Sequence, residues 1–171
     1  MSPPWSKTLD VERLADARAG LDFSVPAGEL ALAEQYAGLT GQVSGHLKME
    51  RTAGIPVGEL TLSGTVQLTC QRCLAPLTVQ VQRQARIGLI ESEAALERVP
   101  EDLEPVLAPD GRTSIGALVA EELLLSLPLV PQHERTEECA ADVPVAAEPE
   151  EQAPPTQRPF ADLGALLNLK K

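Results

Sequence analysis

Aromatic side chains are almost missing from this chain: one Trp, one Tyr and two Phe in 171 residues. So few rings exclude base stacking as a main binding mode and leave the aliphatic residues to build the core. No uninterrupted apolar run approaches the roughly 20 residues that a membrane-spanning helix needs. Met1-Ser-Pro-Pro-Trp5 has no basic stretch followed by an apolar one, so no signal peptide is expected. Three cysteines, an odd number, argue against a secreted disulfide scaffold. The chain is expected in the cytoplasm. Catalytic signatures are missing too: there is no Gly-rich phosphate loop, no G-x-S-x-G and no HExxH.

What is present suits one domain plus tails, with 43% hydrophobic residues to form a core. The net charge of −11 is unevenly spread. Residues 1–90 carry eight acids and eight bases, whereas residues 91–151 carry sixteen acids against three bases. The first part can approach a polyanion; the second would be repelled by one and attracted to basic proteins.

The clearest pattern is alternation. Val43, Gly45, Leu47 and Met49 alternate with polar neighbours, as do Leu60, Leu62, Gly64, Val66 and Leu68. Leu77, Val79 and Val81 continue the pattern, followed by Ala85, Ile87 and Leu89. Period two over three successive runs predicts an antiparallel meander or partly open barrel with one buried face. Arg83 falls in the inward register, so a bulge or strand end is expected there. Gly54-Ile55-Pro56 marks the first turn, and Cys70–Cys73 the second.

Helical signals flank this sheet. Asp10 can cap a short helix through Arg18, residues 21–25 alternate like a short strand, and Ala27–Tyr36 has the composition of another brief helix. Ser92–Val99 reads as a short helix stopped by Pro100. After the turn at Pro109-Asp110-Gly111, Ser114 can cap a helix through Ser126, with Ile115, Leu118, Val119 and Leu123 as its sheet-covering stripe. The expected body is thus a single α+β domain over residues 1–131. Residues 132–157, rich in Glu, Ala and Pro, read as a disordered acidic linker. Residues 158–171 then form a short docking helix, with Pro159 at its first turn and Phe160, Leu163 and Leu167 as anchors.

The chemistry-bearing feature is Cys70-Gln71-Arg72-Cys73 between two strand patterns. It admits a metal knuckle, a redox pair or a tight hairpin with free thiols. A metal site would take Cys70, Cys73, His133 and Cys139, a Cys3His set suited to zinc. The lack of a second CxxC favours free thiols over that reading. A redox pair needs a helix N-terminus after the first cysteine, and here a strand follows. Glu121 and Glu122 lack an acid/base partner, so one is expected in a structural ion pair with Arg83 or Arg86 and the other in solvent. Arg72, Arg83 and Arg86, with the Gln-rich strand face, are candidates for contact with RNA phosphates or a partner.

Several of these motifs resemble the YceD family of large ribosomal RNA subunit accumulation proteins. They are residues 70–77 around the CxxC, residues 121–133 ending in His133, then Cys139, and Arg158-Pro159-Phe160-Ala161-Asp162-Leu163. Leu9-Asp10 and Leu21-Asp22-Phe23 fit as well. The resemblance implies a non-enzymatic ribosome-biogenesis factor needed for accumulation of large-subunit ribosomal RNA. Some relatives carry a second cysteine pair where this chain has His133 and Cys139. With the charge distribution, it implies binding of ribosomal RNA, a basic ribosomal protein, or both. The alternatives are a zinc-dependent or redox CxxC protein of RNA metabolism, and an adaptor that binds through its C-terminal peptide.

Overall fold

The structure, a computed structural model, describes residues 3–139. The rest of the expected linker and the terminal peptide, with Phe160, Leu163 and Leu167, lie outside the described residues. The fold is α+β: a five-stranded sheet, a separate two-stranded ribbon, one long helix and short flanking helical turns.

Three long strands form the body. Strand β1 (Thr8–Asp10) leads through helix α1 (Val11–Asp16) to β2 (Gly20–Pro26), and then come β3 (Thr40–Thr52), β4 (Ile55–Thr69) and β5 (Pro76–Ile90). Strands β2 to β5 pair antiparallel in chain order, as the alternation predicts. The β3–β4 turn has two residues, Ala53 and Gly54, with φ of 51° and 85°. Such a turn matches the twist of the strands it joins.

Register sorts the side chains into rows. Val25, Val43, Gly64 and Val81 lie side by side on the inner face, and Leu21, Leu47, Leu60 and Ala85 form another such row. Outer rows are polar: Ser24, Ser44, Ser63 and Gln82, then Asp22, His46, Thr61 and Gln84. Where Gly45 faces Leu62, a Cβ would lie 1.9 Å from the Thr61 carbonyl oxygen and 2.8 Å from Phe23 Cζ. Glycine is needed there because backbone and an aromatic ring already fill the space.

Arg83 requires a correction. β5 runs unbroken through it, with Leu62 opposite, so there is no bulge. The guanidinium is accommodated on the inner face because Glu122 and Glu104 meet it at 2.8 Å each.

Helix α2 (Ile115–Ser126) closes the inner face with Ile115, Leu118, Val119, Glu122 and Leu123 buried. Ser114 Oγ caps it by accepting from the Ala117 N–H at 3.1 Å, and Asp10 caps α1 through the Arg13 N–H at 3.0 Å. α1 stops at Asp16, two residues short of the expected end. The span 27–36 holds two single 3-10 turns instead of one helix, and residues 93–98 are 3-10 as well. Two short strands carry no periodic signal. β6 (Glu104–Leu107) joins β5 in parallel, making the sheet mixed, and β7 (Arg112–Ser114) pairs with β1.

Candidate metal centre

The β4–β5 turn is built to present sulfur. Cys70 directly follows β4 and is fully buried, its N–H donating to the Ala75 carbonyl at 2.9 Å. The Leu74 N–H donates back to the Cys70 carbonyl at 2.9 Å, closing the loop around Cys73. From the other side, the Gln71 N–H donates to the Pro131 carbonyl at 2.7 Å, which draws the stretch after α2 against the turn. Arg72 continues the strap, donating to the His133 carbonyl and, at 3.4 Å, to Thr136 Oγ1.

These contacts bring together four side chains from two distant segments. One ligand atom from each of Cys70, Cys73, His133 and Cys139 lies within 4.8 Å of every other. His133 Nδ1 is 3.5 Å from Cys73 Sγ and 3.7 Å from Cys139 Sγ. A tetrahedral zinc with ordinary Zn–S and Zn–N bonds separates sulfur from nitrogen by about 3.6 Å. His133 Nε2 is 3.2 Å from the Pro76 carbonyl oxygen, which can only accept. With Nε2–H donating to that carbonyl, the Nδ1 lone pair is free to face the sulfurs, and the carbonyl fixes the ring orientation as it does for a metal-binding histidine.

The electrostatics favour a cation among the thiols. Burial pushes the Cys70 thiol up, but backbone N–H groups of Cys73, His133 and Arg72 outweigh it and draw it down to about 5. Burial raises the Cys139 thiol, and hydrogen bonding with the sulfurs of Cys73 and Cys70 raises it further, to about 11 against a pull from Arg72. Like charges so close cannot all ionise without a compensating ion. Three sulfurs and one nitrogen within 4.8 Å of one another match in number and kind the all-protein ligand set of a structural zinc site. Residues 133–136, expected in the linker, are tied to the β4–β5 turn by Arg72 and by the His133 contact with Pro76, and Pro131 just before them is held by Gln71.

The arginines are differently placed. Arg83 spans Glu122 and Glu104, and its positive charge is further favoured by both. Arg86 pairs with Asp102 and, at 4.0 Å, with Glu59. Of these three arginines, Arg72 alone adjoins the cysteine cluster. Sequence reasoning missed the Pro76 carbonyl and Thr136, whose roles come from tertiary placement. It also passed over Leu129 and Val130, although the Pro128-Leu129-Val130-Pro131 run is an apolar loop flanked by rigid residues.

The fold and the cluster define a class: a small mixed-sheet protein with a closed Cys3His set joining a β-turn to the chain after its main helix. The family described as large ribosomal RNA subunit accumulation protein YceD matches residues 58–167, and the chain belongs to it. Members of this family are non-catalytic accessory factors associated with ribosome biogenesis. The matched span begins in β4 and includes the knuckle, α2, His133 and Cys139. No solved structure matches the chain. Among the described residues, no helix is long and apolar enough to cross a membrane.

Proposed function

We propose that this chain is a zinc-stapled assembly factor for the large ribosomal subunit, acting in the cytoplasm by holding a basic ribosomal component. The observation that carries the zinc reading is the approach of His133 Nδ1 to two sulfurs at tetrahedral spacing. The metal's role is structural: when bound, it compensates three thiolates and ties residues 133–139 to the β4–β5 turn. A redox role fits less well. Cys70 is fully buried, so its thiolate, although stabilised by backbone N–H groups, is closed to a substrate, and the segment after the CxxC enters β5.

The partner reading rests on charge. Residues 91–151 carry sixteen acids and three bases, and Arg83 and Arg86 are already paired with carboxylates. A basic protein is the complementary partner. Ribosomal RNA remains the competing partner class, through Arg72 and the outer sheet face.

Elemental analysis of untagged full-length protein tests the metal. About one zinc per chain is expected, with loss of that zinc in Cys139→Ser. A folded protein without metal after purification in zinc-supplemented buffer would refute the staple. A salt titration separates the partner classes, since direct RNA binding weakens in proportion to the phosphates neutralised.

A further inference from the structure

Two leucines beside the cluster are exposed, and one of them also has a backbone conformation that disfavours it. Leu74, the residue after the CxxC, has φ of 61°, a left-handed conformation that suits glycine and disfavours any side chain with a Cβ. The residue is 74% exposed. Leu129, four residues before His133, is 96% exposed although its neighbours are held in place. Val130 and Leu125 are exposed as well.

The segments bearing Leu74 and Leu129–Val130 are brought together. The Gln71 N–H bond to the Pro131 carbonyl joins the knuckle that bears Leu74 to the stretch that bears Leu129 and Val130. Beside that bond lies an open cleft of about 420 Å³, lined by Leu68, Tyr36, Leu129, Val130 and Pro131 among others. Leu125 stands on the exposed part of α2, one turn after Glu121.

Acidic groups border the same region. Glu134, Glu137 and Glu138 are exposed on the segment that Arg72 ties to the knuckle, and Glu121 is exposed on α2. The two guanidiniums nearby are engaged: Arg72 by the His133 carbonyl and Thr136, and Arg135 by Glu137 at 3.0 Å. Exposed leucines inside an acidic border have nothing to offer a phosphate backbone, and the carboxylates repel one. They suit an apolar anchor flanked by cations.

The geometry points to a docking surface formed by Leu74, Leu129 and Val130, which receives a protein segment carrying an apolar side chain between lysines or arginines. This inference names the surface used in the basic-partner reading above and rests on that reading. The strain at Leu74 is retained because the side chain is needed outside the fold.

Fluorescence anisotropy with full-length, metal-loaded protein tests it. The probes are a short synthetic leucine–lysine peptide, the same peptide with serine for leucine, and a single-stranded RNA oligonucleotide. The leucine–lysine peptide is expected to bind, and Leu129→Ser to weaken it roughly tenfold while zinc content stays unchanged. Leu74→Gly suits the turn, so it should hold or raise the melting temperature yet weaken binding by a similar factor. Wild-type binding that both variants leave intact overturns the surface while the basic-partner reading stands. Binding to the RNA alone, or equal binding of the two peptides, overturns the apolar anchor, and RNA alone overturns the basic partner with it.

Discussion

Cys73 Sγ and His133 Nδ1 lie 3.5 Å apart although sixty residues of chain separate them. The intervening chain includes β5, β6, β7 and α2, so a metal joining this pair closes a loop around much of the domain. By the reasoning used for a disulfide, closing a loop of that size removes about 4 kcal/mol of unfolded-state freedom. At roughly 2–4 °C per kcal/mol for a domain of this size, chelation should lower the melting temperature by about 10 °C. Scanning calorimetry with and without a zinc chelator measures this. Cys139→Ser should melt near the chelated value and respond little to chelator. A melting temperature indifferent to chelation would remove the metal from the stability account.

Metal-free protein should show a maximum in stability on the alkaline side. Cys70 is held at about 5 against an ordinary 9.0, so its contribution is fully present above 9 and is lost as pH falls through 5. Cys139 behaves oppositely. Its thiol is held up at about 11, so its contribution is present below 9 and disappears as pH rises through 11. The two groups together favour the folded chain most strongly near pH 9. Urea midpoints of the chelated protein between pH 5 and 11, followed alongside thiolate absorbance, read both arms. One thiolate should already absorb at pH 7; if all three cysteines stay protonated to pH 8, the backbone N–H groups do not stabilise Cys70 as described.

Much of this sheet is legible from alternation because each long strand has one wet and one dry face. The same local logic places α2, where Ser114 and the Ile115-Leu118-Val119-Leu123 stripe mark start and face. It fails at Arg83, whose inward position looks like a break unless Glu122 and Glu104 are known to meet it. Those partners lie 39 and 21 residues away, beyond the reach of any periodicity. β1, β6 and β7 are only three or four residues long and exist through pairing alone. The cluster was half readable. The CxxC is a local motif, but residues 132–139 have an acidic, apolar-poor composition, and what ties them to the knuckle is hydrogen bonding from Arg72 and the His133 contact with the Pro76 carbonyl.

Gly45→Ala and Gly54→Ala separate two reasons for glycine. At Gly45 an added Cβ meets backbone and the Phe23 ring, and neither can move without opening the β3–β4 or β2–β3 pairing. That change should cost about 3 kcal/mol. Gly54 has nothing within 4 Å of its would-be Cβ, so Ala there bears only the left-handed backbone cost of about 1 kcal/mol. Urea denaturation measures both. Equal losses would mean that the close packing at Gly45 yields more readily than the register implies.

The ion pair between Arg83 and Glu122 gives the sharpest test of the inner face. Glu122 is 2% exposed and its carboxylate is met by Arg83 Nε at 2.8 Å, with Glu104 sharing the guanidinium. Truncating one partner leaves the other charge poorly compensated on a mostly apolar surface. Arg83→Met should therefore cost about 3 kcal/mol by stranding Glu122, and Glu122→Leu somewhat less because Arg83 keeps Glu104 and partial access to water. The double variant removes both charges and replaces them with apolar volume, so its loss should fall well below the sum of the single losses. A double-mutant cycle from urea melts reads the difference. Additive losses would show that the two groups do not depend on each other. In that case the arginine on the inner face of β5 would be held by Glu104 alone, and α2 would contribute packing without charge.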